Sequence, residues 1–253
     1  MGLDLARVAH WVRRTRDFGI SCAALASLVA ALLTGRAREI WIGDSHTVCF
    51  NRSFRTANVL RGGPGVYVFH LGSRLMFSVA RDGEYPVWAR RLVALTARLA
   101  RRPLAMFFCL GEIDVRCHLA KHGEPGTWSF DFVGRYAARA VDFARSHGFD
   151  PVVFVVPPPP CRDQPSIGAL PVAGSFETRI AAFEGLRGAL AEAVEAIGAS
   201  GADVRMVDAT AALFDPVTGI RSDLTDDHCH VNAAGSRVVR RLIDDRFASA
   251  PAA

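Results

Sequence analysis

The sequence predicts an α/β protein, a three-layer α/β/α sandwich around a five-stranded, mostly parallel sheet. Short runs that are apolar on both faces recur along the chain, as expected of strands buried between two layers of helices. Longer segments with helical periodicity separate these runs, and such alternation is typical of a parallel sheet. The length of 253 residues and the hydrophobic content of 50% suit one sizeable domain. They exclude a disordered or fibrous chain.

The predicted elements begin at residue 39. Five apolar runs predict the strands: Glu39–Ile42, Val66–Leu71, Leu104–Leu110, Val152–Val156 and Val204–Val207. Four longer segments predict the main helices: Pro86–Arg101, Asp131–Ser146, Glu177–Ile197 and Ala233–Phe247. Proline suits the first turn of a helix, and Gly148 suits the position just after one. We therefore place one domain at residues 39–253, preceded by an N-terminal helical extension at residues 1–38.

The extension contains an apolar segment, Ile20–Leu33, in which none of the 14 residues is charged. This is shorter than the roughly 20 residues that span a bilayer. Arg13, Arg14 and Arg16 precede it, as in a signal sequence, but no good cleavage site follows. We expect a non-cleaved helix that packs on the domain or touches a membrane surface, in a cytoplasmic protein. The alternative is membrane association or export through this segment.

The charge is concentrated in the extension. The whole chain has a formal net charge of +5, but residues 1–38 hold six Arg against two Asp. Residues 39–253 are therefore nearly neutral, which argues against a nucleic-acid partner. The six cysteines form no CxxC pair, which argues against a zinc ribbon.

Two short polar motifs lie at opposite ends of the predicted domain. Gly43-Asp44-Ser45 ends the first strand, where a glycine permits a sharp turn and the serine hydroxyl reaches the mouth of the sheet. Asp227 and His230 are three residues apart in a loop, so the carboxylate can face one imidazole nitrogen while the other faces a hydroxyl. Both motifs also have a plain structural interpretation, as helix caps and a polar turn.

Together with two internal blocks, these motifs resemble those of the SGNH, or GDSL, hydrolases. The family's GDS and DxxH motifs match the two ends just described. Leu71-Gly72-Ser73 follows the second strand, and Gly111-Glu112-Ile113-Asp114 follows the third, where the family has GxND. The resemblance covers residues from about 39 to 245 and implies a flavodoxin-like strand order.

The resemblance also implies a chemistry. Ser45 would be the nucleophile of an ester hydrolase, His230 its general base and Asp227 the acid that orients the base. The backbone N–H groups of Ser45 and Gly72 would form the oxyanion hole. No metal or organic cofactor is implied, and the substrate would be a small-molecule or glycan ester of an acyl group such as acetyl.

The third block departs from the family pattern. Ile113 takes the place of the asparagine whose side chain donates to the oxyanion, and losing one such donor can cost about 100- to 1000-fold in rate. Arg116 is the nearest replacement donor, although it could equally form an ion pair with Glu112 or Asp114. This GEID form resembles a variant subgroup, so Ile113 is no proof of inactivity. Two other functions stay open: a non-catalytic carbohydrate-binding protein on the same fold, which Ile113 favours, and an acyltransferase that uses the same triad.

Other candidates fit less well. His228 is a rival base and Asp226 a rival acid, but the DxxH spacing selects His230 and Asp227. Ser146 lies in a relaxed nucleophile-elbow pattern but ends a helix, whereas that motif requires a serine after a strand. Several further side chains lie on different loops without metal-ligand spacing, so no metal site is predicted: Cys117, His118, His122, Cys161 and Cys229.

Overall fold

The computed structural model describes residues 5–51, 57–166 and 170–248. Within these ranges the strands of the main sheet are β1 (Glu39–Gly43), β2 (Val59–Gly63), β3 (Val66–His70), β4 (Ala105–Cys109), β5 (Val152–Val155) and β6 (Val204–Val207). Their order across the sheet is β2-β3-β1-β4-β5-β6. The strands β7 (Phe214–Asp215) and β8 (Gly219–Ile220) form a separate hairpin.

The helices lie between the strands and at both ends. They are α1 (Leu5–Leu33), α2 (Ser45–Phe50), α3 (Met76–Asp82), α4 (Val87–Leu99), α5 (Ala120–His122), α6 (Asp131–Arg145), α7 (Phe176–Ala199), α8 (Thr210–Leu213) and α9 (Ala233–Ala248). A π-helical turn (Asp114–Leu119) leads into α5, and a 3-10 turn (Ser222–Leu224) follows β8. The outer ends of the predicted extension and domain, residues 1–4 and 249–253, lie outside the described residues.

The predicted fold class is confirmed, with one correction to the sheet. The five predicted strands are the parallel ones, and their order β3-β1-β4-β5-β6 is the flavodoxin-like order. The structure adds β2 as a sixth strand, antiparallel to β3 at the edge. β2 was not among the predicted strands, because this short segment contains the exposed Arg61 and two glycines and is not a run apolar on both faces.

The hydrophobic core has two parts, one on each face of the sheet. On one face α1, α3, α4, α6 and α7 cover the strands, and Phe108 stacks on Phe154 with ring centroids 5.8 Å apart. On the other face α2 and α9 cover them, and Trp41 stacks on Phe107 at 4.6 Å. Because helices bury both faces, the strands read in the sequence as continuous apolar runs.

Helix α1 packs on the sheet through its C-terminal half. Ala24, Leu28 and Leu32 are buried there, and the Ser27 hydroxyl lies 3.0 Å from the Tyr67 hydroxyl. Residues Trp11–Leu33 form a helical segment of 23 residues with a mean hydropathy of 1.6, apolar and long enough to cross a membrane, of which 22% is buried in the fold. A signal sequence or the core helix of a soluble protein can have the same properties.

Gly43, at the end of β1, leaves no room for a side chain. A Cβ there would overlap the carbonyl oxygen of Cys109 and the hydroxyl of Thr47. We expect Gly43→Ala to lower the free energy of unfolding by about 1–3 kcal/mol, the usual cost of overpacking. Gly134→Ala is the matched control, because Gly134 lies on the exposed side of α6 with open space around it. This change should stabilise the protein by about 0.5–1 kcal/mol, since alanine favours a helix. Urea unfolding measures both, and equal midpoints for the two variants would contradict the close contact.

Candidate active site

The site is built at the carboxyl edge of the sheet, where β1, β3 and β4 end. Gly43 turns the chain off β1, and its carbonyl accepts the N–H of Leu71 at 2.7 Å, which holds the ends of β1 and β3 together. Asp44 caps α2, because its Oδ1 accepts the N–H of His46 at 2.9 Å. Ser45 is therefore the first residue of a helix that starts at the edge of the sheet, where ligands bind in such folds.

The three predicted triad residues meet at this edge. Ser45 Oγ lies 2.8 Å from His230 Nε2, and His230 Nδ1 lies 2.7 Å from Asp227 Oδ2. Asp227 Oδ1 accepts the N–H groups of Cys229 at 2.9 Å and His230 at 2.6 Å. The loop's own backbone therefore fixes the carboxylate, which in turn fixes the imidazole.

The electrostatics favour a neutral imidazole that can accept a proton. Burial lowers the pKa of His230, nearby His46 lowers it further, and Asp227 only partly opposes the shift. Burial would raise the pKa of Asp227, but its hydrogen bonds from His230 hold that pKa below the ordinary value. With Asp227 ionised and the imidazole proton on Nδ1, Nε2 is free to accept the proton of the Ser45 hydroxyl.

The rival residues lie outside this hydrogen-bonded chain. His228 is exposed and has a left-handed backbone, with φ of 55°. Asp226 Oδ1 accepts the side-chain N–H of Asn232 at 3.0 Å. Asn232 Oδ1 also accepts the N–H groups of two residues in the first turn of α9, so the loop is a helix cap as well as a site.

Gly72 lies in the loop after β3, with a left-handed φ of 72° and open space where a Cβ would be. The buried Asp114 anchors the end of this loop. Its carboxylate accepts the N–H groups of Met76 at 2.7 Å and Phe77 at 3.0 Å, at the start of α3. Burial raises the pKa of Asp114 to about 7, although these two hydrogen bonds oppose the shift. The last residue of the GEID block thus positions the glycine loop.

Arg116 is held in a buried ion pair. Its Nε lies 2.8 Å from Glu112 Oε1, and its Nη2 lies 3.1 Å from Glu112 Oε2. The guanidinium therefore has the ion-pair partner that the sequence analysis gave as its alternative role. Nη1 is buried and has no hydrogen-bond partner within the described ranges. Ile113, three residues before Arg116, is buried and offers no side-chain donor.

A polar layer, which was not predicted from the sequence, lies behind the triad. Glu112 Oε1 accepts Nε2–H of Gln164 at 2.7 Å, and Glu112 Oε2 lies 3.4 Å from His46 Nε2. The His46 ring stacks on the His230 ring with centroids 4.7 Å apart. Burial would raise the pKa of Glu112, but His46 and Arg116 hold it below the ordinary value. The position of His46, directly after Ser45, was a signal for this layer. Gln164 lies in a loop without a motif.

Three of these side chains could also bind a metal ion. His46, Cys229 and His230 each offer a ligand atom, and these atoms lie within 4.8 Å of one another. Nitrogen and sulfur donors suit zinc. Both ring nitrogens of His230 are engaged, however, by Ser45 and Asp227. The absence of a required metal stays a prediction. Of the scattered side chains weighed from the sequence, only Cys229 belongs to this group.

Removing Glu112 should destabilise the protein, because it leaves the Arg116 guanidinium buried without its partner. We expect Glu112→Ala to lower the free energy of unfolding by about 3–5 kcal/mol. Glu112→Leu combined with Arg116→Met should recover part of this loss, because no buried charge is left unpaired. Asp82→Ala breaks an exposed pair with Arg81 and serves as the control. It should leave the urea midpoint almost unchanged. Similar midpoints for Glu112→Ala and Asp82→Ala would contradict the importance of the buried pair.

Comparison with known proteins gives structural matches. No protein-family model and no curated protein matches the sequence. A GDSL-like lipase from Bacteroides thetaiotaomicron matches with a TM-score of 0.55 at 16% identity, over 88% of this chain and 95% of that one. A provisionally named platelet activating factor from Streptococcus pneumoniae matches with a TM-score of 0.53 at 13% identity, over 95% of this chain and 99% of that one. A provisionally named acylhydrolase from Bacteroides fragilis matches with a TM-score of 0.51 at 14% identity, over 83% of this chain and 86% of that one.

These matches define the class of fold. The chain has the mixed α/β fold of the GDSL-like hydrolases, with a mostly parallel sheet between helices. At identities of this size the likeness defines the fold alone, and the activity has to be argued from the site.

Proposed function

We propose that this protein is a serine esterase that hydrolyses acyl esters through an acyl-enzyme. The observation that carries the proposal is the hydrogen-bonded chain from Ser45 through His230 to Asp227. Structural neighbours named as a GDSL-like lipase and an acylhydrolase support it. The substrate class is an ester of a small molecule or a glycan, with acetyl among the acyl groups.

The first half-reaction forms the acyl-enzyme. His230 Nε2 takes the proton of the Ser45 hydroxyl while Oγ attacks the ester carbonyl carbon. Asp227 stabilises the imidazolium. The backbone N–H groups of Ser45 and Gly72 donate to the developing oxyanion. When the tetrahedral intermediate collapses, the alkoxide leaves with the proton from His230.

The second half-reaction releases the acid. His230 deprotonates a water, which attacks the acyl carbonyl, and Ser45 leaves with the proton restored. If an alcohol replaces the water, the same steps transfer the acyl group. Hydrolase and acyltransferase therefore differ only in the acceptor.

The third oxyanion donor is the weakest part of the site. Ile113 supplies none, and the loss of one donor costs about 100- to 1000-fold in rate. Arg116 is the candidate replacement through Nη1, which takes no part in the ion pair with Glu112 and has no hydrogen-bond partner among the described residues. If Arg116 does not donate, we expect a slow esterase.

A fluorophosphonate probe tests the proposal directly. We expect it to label Ser45, located by peptide mapping, at a rate that falls in acid as His230 becomes protonated. Because the pKa of His230 is lowered, the pH at which the labelling rate is half maximal should lie below the ordinary histidine pKa of about 6.5. Label on another residue, or a midpoint above that value, would contradict the assigned base. No label, together with binding of a glycan, would favour the carbohydrate-binding alternative.

The released product separates hydrolase from transferase. We expect a short-chain chromogenic ester to yield the free acid in water. If added alcohols divert most of the acyl group even at low concentration, the acceptor is an alcohol and the protein is an acyltransferase.

A further inference from the structure

We propose that residues 11–20 of α1, here called the docking segment, bind an anionic lipid surface. They would hold the carboxyl edge of the sheet, where Ser45 lies, against that surface. Binding to lipid does not depend on the proposed function. Only the consequence for catalysis, access to esters embedded in the membrane, rests on it.

The contacts of α1 show which way the helix runs. After Leu33, residues 34–38 lead into Glu39 at the amino end of β1. Six residues before Leu33, Ser27 meets Tyr67 of β3. Farther back, Ser21 Oγ accepts the N–H of Val59, and Val59 pairs with Phe69 near the carboxyl end of β3. The N-terminal end of α1 therefore lies on the side of the sheet where Ser45 lies.

The docking segment extends past this edge. From Trp11 to Ser21 the helix advances ten residues, about 15 Å. The stripe that packs on the sheet, with Leu25 partly buried and Leu32 buried, continues at the same seven-residue spacing through Phe18 and Trp11. These two aromatic side chains are 71% and 68% exposed.

The exposed stripe forms one wall of an open groove. The N-terminal end of α4 forms the other, with Val87 53% exposed and Trp88 beside it. The groove has a volume of about 1280 Å³ and includes Arg14 and Arg91. Apolar and aromatic side chains next to arginines are typical of helices that lie in the membrane interface.

The charge of the docking segment indicates which kind of partner binds it. Arg13, Arg14 and Arg16 are all exposed, and its one acidic residue, Asp17, lies 3.0 Å from Arg16. This surplus of positive charge complements anionic lipid headgroups. Two copies of the chain packed through this stripe would bring both sets of arginines together, which repels.

The C-terminal half of α1 determines how the helix would bind. The hydrogen bonds of Ser21 and Ser27, and the buried Ala24, Leu28 and Leu32, hold that half on the domain. Spanning the bilayer would break these contacts. The docking segment therefore lies on the membrane surface and does not cross it.

Vesicle flotation of the full chain tests the proposal. We expect binding to equimolar phosphatidylcholine and phosphatidylglycerol, and much weaker binding to phosphatidylcholine alone. Trp11→Gln with Phe18→Gln keeps the charge and should reduce binding about tenfold, because the apolar contact is lost. Leu33→Gln is the matched control, since this exposed apolar residue lies at the other end of the same helix. It should bind like the unchanged protein.

A second pair of variants tests the arginines. Arg13→Gln with Arg14→Gln should remove the preference for the anionic lipid. Arg98→Gln with Arg101→Gln, exposed arginines in the last turn of α4 and just after it, should keep it. The proposal is overturned if the full chain fails to float with anionic vesicles, or if Trp11→Gln/Phe18→Gln binds as Leu33→Gln does. A dimer in light scattering that only the Trp11/Phe18 variant dissociates, without vesicle binding, would assign the stripe to a second copy and also overturn it.

Hydrolysis assays separate this proposal from the proposed function. The ratio of the rates on a vesicle-embedded ester and a water-soluble ester should fall with vesicle binding in the Trp11/Phe18 variant and stay constant in Leu33→Gln. If the chain floats but hydrolyses neither ester, the docking stands and the esterase proposal fails. If the chain hydrolyses the soluble ester but never floats, the esterase proposal stands and the docking proposal fails.

Discussion

Ser45→Ala is expected to lower kcat for a short-chain chromogenic ester by about 10⁴- to 10⁶-fold, the range that follows loss of a serine nucleophile. Alanine favours the helix that Ser45 begins, which stabilises the fold. The change removes the hydroxyl that contacts His230, which costs a little stability in the other direction. The urea midpoint should therefore stay close to that of the unchanged protein. The residual rate comes from substrate binding and the oxyanion hole, which the change leaves in place.

Ser146→Ala is the matched control for this variant. Ser146 lies in the nucleophile-elbow pattern that the sequence analysis rejected, and its hydroxyl donates to the carbonyl of Phe143 at the end of α6. The kcat of Ser146→Ala for the same ester should equal that of the unchanged protein. Equal rates for the Ser45 variant and the unchanged protein would rule out Ser45 as the nucleophile.

Asp227→Asn is expected to lower kcat about 10⁴-fold, as such a change does in a serine protease triad. The asparagine oxygen can keep the N–H groups of Cys229 and His230, and its amide nitrogen then faces His230 Nδ1. A donor at that place moves the imidazole proton to Nε2. The imidazole then cannot accept the proton of the Ser45 hydroxyl.

Asp226→Asn controls for damage to the loop. Asp226 precedes Asp227, and its carboxylate accepts the side-chain N–H of Asn232, which an amide oxygen can also do. We expect kcat near that of the unchanged protein, measured with the same ester. A loss as large as that of Asp227→Asn would show that the loop, and not the acid, is sensitive. No loss in Asp227→Asn would remove Asp227 from the triad.

The sequence predicted the parts of the protein that follow a local pattern. Strands buried on both faces are continuous apolar runs, so the five parallel strands were predicted from these runs. Because parallel strands end at one edge of the sheet, the residues after β1, β3 and β4 lie near each other. Ser45 also meets His230 across 185 residues, the pairing that the family resemblance implied. The antiparallel β2 has no such pattern, because an edge strand half open to solvent tolerates arginine and glycine.

The polar layer behind the triad could not be predicted in this way. Its members come from a helix start, a strand end and a loop, and only the folded chain brings Gln164 to Glu112. The two roles of Arg116 were indistinguishable in the sequence, because both place a guanidinium in the same loop. The distances to Glu112 establish the ion pair, and they leave the donation by Nη1 to experiment.

The position of α1 also bears on aggregation. β2 is one of the two edge strands of the sheet, and an uncovered edge strand is a template on which another chain can add a strand. Here α1 lies against β2, and the Ser21 hydroxyl accepts the edge N–H of Val59. The exposed Arg61 adds a charge to the same edge. The extension thus protects the β2 edge of the sheet from pairing with a neighbouring molecule, whatever surface its outer end contacts.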